Sequence, residues 1–247
     1  MRLRARKLGR TGIAVSPIGV GAMSFADFYG PTTEENSHAI LHAALEAGVN
    51  FIDTSDIYGM GRSEEAIGGF LKARPEARDQ MVICTKGGIA PGPQGRVYDN
   101  SAAYLETALD ASLRRLGVDC VALYYVHRRE EARPIEEVVQ TLQGFVKKGK
   151  IRSYGFSEIA PSSLRRAAAL RSAPCVECWV INLARRPDRW RSLLAQAARL
   201  NDRLDRTPPP SPNGLGPGLG PSLGPGALPA RLALRRFDAV DGRSSGA

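Results

Sequence analysis

Long apolar runs, histidines and cysteines are all scarce in this chain. It has no run of about 18 or more apolar residues, so the sequence predicts no transmembrane helix and no membrane partner. No signal-peptide core follows Met1, and the 4 cysteines in 247 residues therefore predict reduced thiols in a cytoplasmic protein.

Metal-binding patterns are also missing. Cys175 and Cys178 form a single CxxC with no second cysteine or histidine pair after it. His38 and His42 lie one turn apart on a predicted helix, but no third ligand accompanies them. We expect no metal site.

Charge is unevenly spread along the chain. The formal net charge is +9, and no lysine follows Lys150, so arginine alone supplies the positive charge of the last part. A basic excess can indicate a nucleic-acid partner. Here the arginines come without interleaved aromatic residues or a binding motif, and we expect no nucleic-acid partner.

Three short apolar runs each end on a residue that can take part in proton transfer. These residues are Asp53, Lys86 and His127, and Tyr58 follows five positions after Asp53. A phenol with a pKa of about 10 needs a cation beside it to act as an acid, and that cation needs a carboxylate to hold it. The four residue types together suit protonation of a substrate oxygen.

The spacing of the predicted strands indicates a barrel-type fold. Strand ends recur near residues 23, 53, 86, 127 and 157, the period of βα units, and active sites of (β/α)8 barrels lie at such ends. We predict an α/β protein with a partial (β/α)8 TIM barrel of about five βα units. The alternative is an ordinary α/β core with solvated strand ends, but four such residues in order favour the barrel.

The individual elements follow from apolar periodicity and turn residues. Strands are predicted at 17–23, 49–54, 81–86, 120–127 and 151–156, after a hairpin at 6–15. Helices are predicted from 31 to Gly48, at 63–73 and 161–170, and from Pro134 to about 150. A further helix is predicted from a cap at Asn100 or Ser101 to Leu116, with Gly117 as its stop. Thr32 and Glu35 are spaced as a capping box, and 87–99 is predicted to be a glycine-rich loop.

These motifs resemble the aldo-keto reductase family over residues 4–170. The N-terminal stretch KLGRTGIAVSPIGVGAM at 7–23, followed by DFYG at 27–30, is similar to one branch of that family. The family's tetrad of Asp, Tyr, Lys and His maps onto Asp53, Tyr58, Lys86 and His127.

The resemblance implies a reaction and a cofactor. NADPH would supply a hydride to a small-molecule carbonyl substrate. Tyr58 would donate the proton, Lys86 would lower the pKa of the phenol, Asp53 would hold Lys86, and His127 would hydrogen-bond the carbonyl oxygen. The cofactor contacts implied by the family fall on a set of strand-end residues: Gly21, Ala22, Met23, Asp53, Ser157 and Glu158. Glu158 stands where many members have Asn.

Beyond Leu170 the later motifs of that family are missing. Residues 178–243 instead resemble the start of a family-25 glycosyltransferase of lipopolysaccharide biosynthesis. We predict a strand and helix of that origin at 171–206, a disordered linker at 207–229 and a short strand and tail at 230–247. The linker prediction rests on 6 Gly and 8 Pro in 23 residues. The run 176–183 is expected to pair in parallel with 151–156.

The function implied is therefore an NADPH-dependent carbonyl oxidoreductase. We expect its cofactor binding and activity to be weakened, because the second half of the barrel, which would hold the cofactor's phosphates, is not found. The alternative is a catalytically inactive fragment, or a fusion with a glycosyltransferase-like C-terminal piece.

Overall fold

A computed structural model describes residues 5–8, 11–93, 95–157, 159–170 and 175–176. The strands are β1 Arg6–Lys7, β2 Ala14–Val15, β3 Gly19–Gly21, β4 Phe51–Asp53, β5 Val82–Gly87, β6 Ile89–Gly92, β7 Gly95–Tyr98, β8 Leu123–Val126, β9 Tyr154–Phe156 and β10 Cys175–Val176. The α-helices are α1 Glu34–Glu46, α2 Arg62–Ala73, α3 Ala102–Leu116, α4 Ile135–Lys147 and α5 Pro161–Ala169. Two short 3-10 helices span Ala22–Ala26 and Pro75–Ala77.

The main sheet is parallel and follows chain order. Its strands are arranged β3, β4, β5, β8, β9, β10, and every neighbouring pair is parallel. A doubly wound sheet would reverse its strand order at a switch point, and this sheet does not. Successive strands joined by helices are the arrangement of a (β/α)8 barrel, so the predicted α/β architecture is confirmed at this level.

Alternating side chains give the sheet two apolar faces. Ile52, Ile83 and Tyr124 belong to a large buried cluster shared with the helices. Phe51, Cys84 and Tyr125 belong to a smaller cluster that includes Leu8 and Val15 from the N-terminal hairpin. Because side chains along a strand alternate between faces, the residues two positions further along share the inner face with this second cluster.

The helix ends follow the predicted turn chemistry with one correction. Thr33, not Thr32, is the N-cap of α1, and its hydroxyl accepts from the backbone N–H of Asn36 at 3.2 Å. Position 33 is the residue with extended backbone before the helix, and only an N-cap side chain reaches that N–H. The end of α1 is marked by Gly48 with φ +74°, as predicted. Ser101 caps α3, and Gly117 ends it with φ +65°.

The prediction of a glycine-rich loop at 87–99 is wrong in detail, because this segment contains a hairpin. Strands β6 and β7 pair antiparallel, with Ile89 opposite Tyr98 and Gly92 opposite Gly95. Gly95 has φ +120°, a conformation that glycine adopts at no steric cost. The glycines mark the turn of the hairpin, and the strands on either side are short.

The last described strand lies beside β9. Cys175 pairs with Gly155 and Val176 with Phe156 in parallel register. This confirms the predicted neighbour for Val176, while 177–183 lie outside the described residues. The predicted glycosyltransferase-like segment, the linker at 207–229 and the tail at 230–247 also lie outside them.

Within the described ranges, no helix combines the length and the apolar character that crossing a bilayer requires.

Candidate active site

The four predicted side chains meet at the carboxyl end of the sheet. Asp53 ends β4, Lys86 lies near the end of β5, and His127 directly follows β8. Strand register holds these ends level, since Gly21 pairs with Asp53 and Lys86 pairs with Tyr125. Each of the three lies two residues after a member of the inner cluster, so all three side chains project from the inner face.

Lys86 is the centre of the cluster. Its ammonium Nζ lies 2.6 Å from Asp53 Oδ2, 3.0 Å from the Thr54 carbonyl and 3.3 Å from the Tyr58 hydroxyl. Only 5% of Lys86 and 8% of Asp53 are exposed. A buried ion pair is tolerated when its remaining donors are also satisfied, and these three contacts use all three ammonium protons.

Tyr58 is held by the turn that follows β4. Its backbone N–H donates to the Ser55 carbonyl at 3.2 Å, and its carbonyl accepts from Ser63 at the start of α2, also at 3.2 Å. Gly59 then turns with φ +62°, and a Cβ there would lie 2.7 Å from Ala26 Cβ. This turn therefore packs too closely against the first 3-10 helix for any side chain but glycine's at position 59.

His127 stands across from Tyr58 in an edge-to-face arrangement. The two ring centroids are 5.8 Å apart with the planes inclined at 82°. The Nδ1 atom of His127 is 2.9 Å from the Ser55 hydroxyl, and its backbone N–H donates to the Gly87 carbonyl at 2.7 Å. The end of strand β5 thus fixes the backbone of His127, and Ser55 fixes one ring nitrogen.

The charges of Lys86 and Tyr58 depend on one another. Burial alone would lower the pKa of Lys86, but the Asp53 carboxylate and the Tyr58 phenol outweigh it and raise that pKa. Burial raises the pKa of Tyr58, and the nearby Lys86 ammonium opposes the rise without cancelling it. The predicted lowering of the Tyr58 pKa by Lys86 is therefore present, but burial outweighs it and the net pKa is raised. Lys86 is a cation and Tyr58 a neutral phenol at neutral pH.

His127 is neutral in this environment. Burial, followed by the cations Lys86, Arg128 and Arg96, lowers the pKa of His127 to about 3. A neutral imidazole carries one proton and one lone pair, so it can either donate to a substrate oxygen or accept from one.

The residues expected at the cofactor lie at the neighbouring strand ends. Gly21 ends β3, and Ala22 and Met23 begin the 3-10 helix beside it. Ser157 follows β9, is 3% exposed and donates its N–H to the Val126 carbonyl at 2.9 Å. Glu158 lies outside the described residues.

This donor set fits an uncharged carboxamide. A serine hydroxyl can both donate and accept, and Gly21 and Ala22 have little or no side chain to obstruct a flat ring. The positions are therefore suited to the nicotinamide end of a dinucleotide.

Two residues of the site are not among those predicted from the sequence. Thr54 and Ser55 lie between Asp53 and Tyr58 and contact Lys86 and His127. Hydroxyl residues directly after a strand that ends in a functional acid are a usable signal, but side chains alternate between faces, so a shift of one residue decides whether they face the site.

A second charged group lies behind the sheet. Glu64 is fully buried, accepts from Thr85 and pairs with Arg115, whose Nε lies 2.7 Å from Glu64 Oε2. Thr85 is on the opposite face of β5 from Lys86. This group therefore connects α2 and α3 to the sheet and does not enter the site.

Fold and site together define a class of protein. It is an α/β protein with strands in barrel order and an Asp–Lys–Tyr–His cluster at their carboxyl ends.

Comparisons with known proteins agree with that class. A sequence profile of the Aldo/keto reductase family matches residues 17–193. Aldo-keto reductase yakc [NADP(+)] of Schizosaccharomyces pombe is 41% identical over 179 residues, covering 72% of this chain and 52% of that protein. The 6-dehydroglucose reductase of Novosphingobium aromaticivorans is 41% identical over 165 residues, covering 64% and 53%. The chain belongs to the aldo/keto reductase family.

Solved structures show the same relationship. The holo form of aldo-keto reductase AKR11C1 from Bacillus halodurans is 32% identical with a TM-score of 0.63, covering 80% of this chain and 64% of that one. Glycerol dehydrogenase AKR11B4 from Gluconobacter oxydans is 27% identical with a TM-score of 0.59, covering 66% and 51%. The chain spans about half the length of the two curated relatives, 52% and 53%. The family match continues past Leu170 to residue 193, into the stretch for which a glycosyltransferase resemblance was predicted.

Proposed function

We propose that this chain carries the proton-transfer site of an NADPH-dependent carbonyl oxidoreductase acting on a small aldehyde or ketone. The observation that supports it most directly is the hydrogen-bonded set in which Lys86 Nζ contacts both Asp53 and the Tyr58 hydroxyl. NADPH, when bound, supplies a hydride to the carbonyl carbon. A relative whose name includes NADP(+) favours that cofactor.

Tyr58 is proposed to donate its proton to the oxygen of the substrate as negative charge develops there. The raised pKa of Tyr58, caused first by burial, keeps the phenol protonated and ready to donate. After donation the phenolate lies 3.3 Å from the Lys86 ammonium. The negative charge that forms on the phenolate is therefore stabilised by a cation that is already in position.

Asp53 keeps Lys86 in position and charged. The carboxylate raises the pKa of Lys86 against the opposing effect of burial. His127 is neutral and its ring centroid lies 5.8 Å from that of Tyr58, and His127 is proposed to hydrogen-bond the substrate oxygen. Gly21, Ala22, Met23, Asp53 and Ser157 would line the nicotinamide side, with Glu158 adjacent in sequence.

The test combines binding with turnover. NADPH fluorescence should saturate on titration with the purified full chain, with weak affinity, and a reactive aldehyde should then be reduced slowly, in line with the weakened binding and activity expected from the sequence. Tyr58→Phe should abolish turnover while leaving NADPH affinity within about threefold, because a positioned acid contributes roughly 10²–10⁴-fold to rate. Tyr98→Phe, on the exposed strand β7, is the matched control and should retain activity.

Two results would contradict the proposal. Turnover that survives Tyr58→Phe would remove the assigned acid. Absence of both saturable NADPH binding and turnover would favour the alternative of a catalytically inactive chain.

A further inference from the structure

The Ser55 hydroxyl lies between an imidazole and a carboxyl group. Its Oγ is 2.9 Å from His127 Nδ1 and 3.1 Å from Asp56 Oδ1. Ser55 is 0% exposed and His127 is 6% exposed, so bulk water does not compete for the contact between them, while Asp56 is half-buried. The three groups form one hydrogen-bonded chain that ends at the ring facing Tyr58.

A serine hydroxyl has one proton to donate, and two neighbours in this chain can accept it. The Lys86 carbonyl, at 3.3 Å, is a third and longer acceptor. The group that receives the Ser55 proton determines whether His127 Nδ1 accepts a hydrogen bond from Ser55 or donates one to it. If Ser55 donates to Asp56, then His127 Nδ1 must carry a proton and donate to Ser55 for that contact to be a hydrogen bond.

We propose that Asp56 and Ser55 are positioning residues that select which nitrogen of His127 carries the proton, so that the protonation state of Asp56 switches His127 between donor and acceptor toward a substrate oxygen. The tautomer switch needs only the polypeptide, with no cofactor or substrate bound. Its consequence for a carbonyl or alcohol rests on the proposed function.

The two states differ by one proton. With Asp56 protonated, its O–H donates to Ser55, Ser55 donates to His127 Nδ1, and His127 Nε2 carries a proton. When the Nε2 proton leaves, the Ser55 proton moves to Nδ1 and the Asp56 proton moves to Ser55. The result is an ionised Asp56, a Nδ1–H donor and a Nε2 lone pair, with one proton released to solvent or substrate.

Hydrogen-bond strength explains why the protonation state of Asp56 sets the direction of the hydrogen bonds from Asp56 through Ser55 to His127. A hydrogen bond to an ionised acceptor is roughly twice as strong as one between neutral groups. An ionised Asp56 therefore takes the Ser55 proton in preference to the imidazole. A protonated Asp56 needs an acceptor instead, and the Ser55 oxygen supplies it.

Burial and the surrounding charges together place this switch near neutral pH. The groups that act on Asp56 come from α2, α3 and β8: Glu64, Arg115, Tyr104 and Tyr124. Those acting on His127 are Lys86, Arg128 and Arg96, and the Tyr58 ring faces it. Burial, followed by Glu64, raises the pKa of Asp56 to about 7. His127 stays neutral throughout, with a pKa of about 3.

The direction of the effect follows. Below the pKa of Asp56, Nε2–H can donate to a carbonyl oxygen, which assists reduction. Above it, the Nε2 lone pair can accept from the O–H of an alcohol, which assists oxidation.

The tautomer of His127 can be observed without cofactor or substrate. The full chain, with ¹⁵N-labelled histidine, is examined by long-range ¹H–¹⁵N NMR across pH 5.5–8.5. The chain has 3 histidines, and His38→Gln and His42→Gln assign the other two signals. The ratio of Nδ1–H to Nε2–H forms of His127 should rise by about tenfold or more over this range, following the ionisation of Asp56. A ratio that stays constant overturns the proposal.

Variants identify the residues responsible. Asp56→Asn and Ser55→Ala should each abolish the pH-dependent change in the ratio, while Asp79→Asn, an exposed control, should keep it. A change that persists in Ser55→Ala overturns the relay. If the variants fail to fold, the wild-type titration decides alone.

The result is independent of the reductase assignment. A constant tautomer ratio in a chain that reduces aldehydes defeats the relay only. A switching tautomer in a chain without turnover defeats the proposed function only.

Discussion

At the residue scale, the Lys86–Asp53 pair affects both the charge of the site and the stability of the fold. The two atoms are 2.6 Å apart and both side chains are nearly fully buried. The net contribution of such a pair is small compared with an apolar replacement, but removing one partner leaves a buried charge unopposed. Stability and activity can therefore be separated by changing one residue and then both.

We predict that Lys86→Met destabilises the chain by about 3–5 kcal/mol, because Asp53 is left buried without its cation. Adding Asp53→Asn should recover most of that loss, since the remaining charge is removed. Neither the single nor the double variant should show detectable turnover, because Tyr58 has lost the neighbouring Lys86 cation in both. Urea unfolding measures the first effect. Equal stability of the single and double variants would contradict the prediction.

Asp56 makes stability depend on pH with a defined sign. Burial raises its folded-state pKa from 3.8 to about 7, so the folded state holds a proton that the unfolded state releases between those values. The Asp56 contribution is therefore fully present below about pH 4 and is lost as pH rises to about 7. His127 acts in the opposite direction, because its pKa of about 3 lies below its ordinary 6.5.

Comparing variants isolates Asp56 from His127. Relative to wild type, Asp56→Asn should show a stability difference that grows in its favour between about pH 4 and pH 8. The change should be on the order of 1–2 kcal/mol, reduced from the full shift because Asp56 is partly exposed to water. Asp79→Asn should show no such trend in urea unfolding. A difference that is the same at both pH values would argue against a raised pKa.

At the element scale, the close approach of α2 and α3 fixes the helix that follows Tyr58. A Cβ at Gly68 would lie 2.0 Å from the Arg115 carbonyl oxygen and 3.2 Å from the Leu116 carbonyl carbon. Both are backbone atoms, so neither can rotate away as a side chain would. The two helices must separate to admit even one methyl group.

Gly68→Ala should therefore destabilise the chain by about 1–3 kcal/mol, as overpacking does. Gly144 in α4 offers a matched control, because a Cβ there meets nothing within 4 Å. Gly144→Ala should stabilise by about 0.5–1 kcal/mol through helix propensity. Thermal or urea unfolding of both variants gives the comparison, and effects of the same sign would refute the packing argument.

At the scale of the whole molecule, the sheet is covered on two sides by different parts of the chain. The helices cover the outer face, and the N-terminal hairpin of β1 and β2 packs under the inner face. Leu8 is 0% exposed and shares the inner cluster with Phe51, Leu123 and Tyr125. The strand ends that carry the candidate active site lie beyond that cluster on the same face.

Leu8→Ala should cost about 2–5 kcal/mol, because it removes buried methyl groups and leaves a cavity. Val97→Ala, at a position 43% exposed, should change stability by less than about 0.5 kcal/mol. Urea midpoints at unchanged slope would measure both effects. A Leu8 variant as stable as the Val97 variant would show that the hairpin contributes nothing to the inner core.

The strand ends and the residues at those ends can be predicted from the amino-acid order alone. Asp53, Lys86 and His127 could be found because each closes a short apolar run, a pattern that depends only on local order along the chain. The same is true of Gly48 and Gly117, whose conformational freedom ends helices. The N-cap at Thr33 was missed by one residue, because neighbouring threonines offer the same chemistry.

Which side chains contact one another follows from the packing of distant segments and not from the order of residues. The Ser55 contact with His127 joins residues 72 positions apart, and the Glu64 pair with Arg115 joins residues 51 apart. The net direction of the Tyr58 pKa also depended on burial, which competes with the nearby cation. Spacing along a chain fixes faces and ends, but distances and desolvation arise only when strands and helices from distant segments pack together.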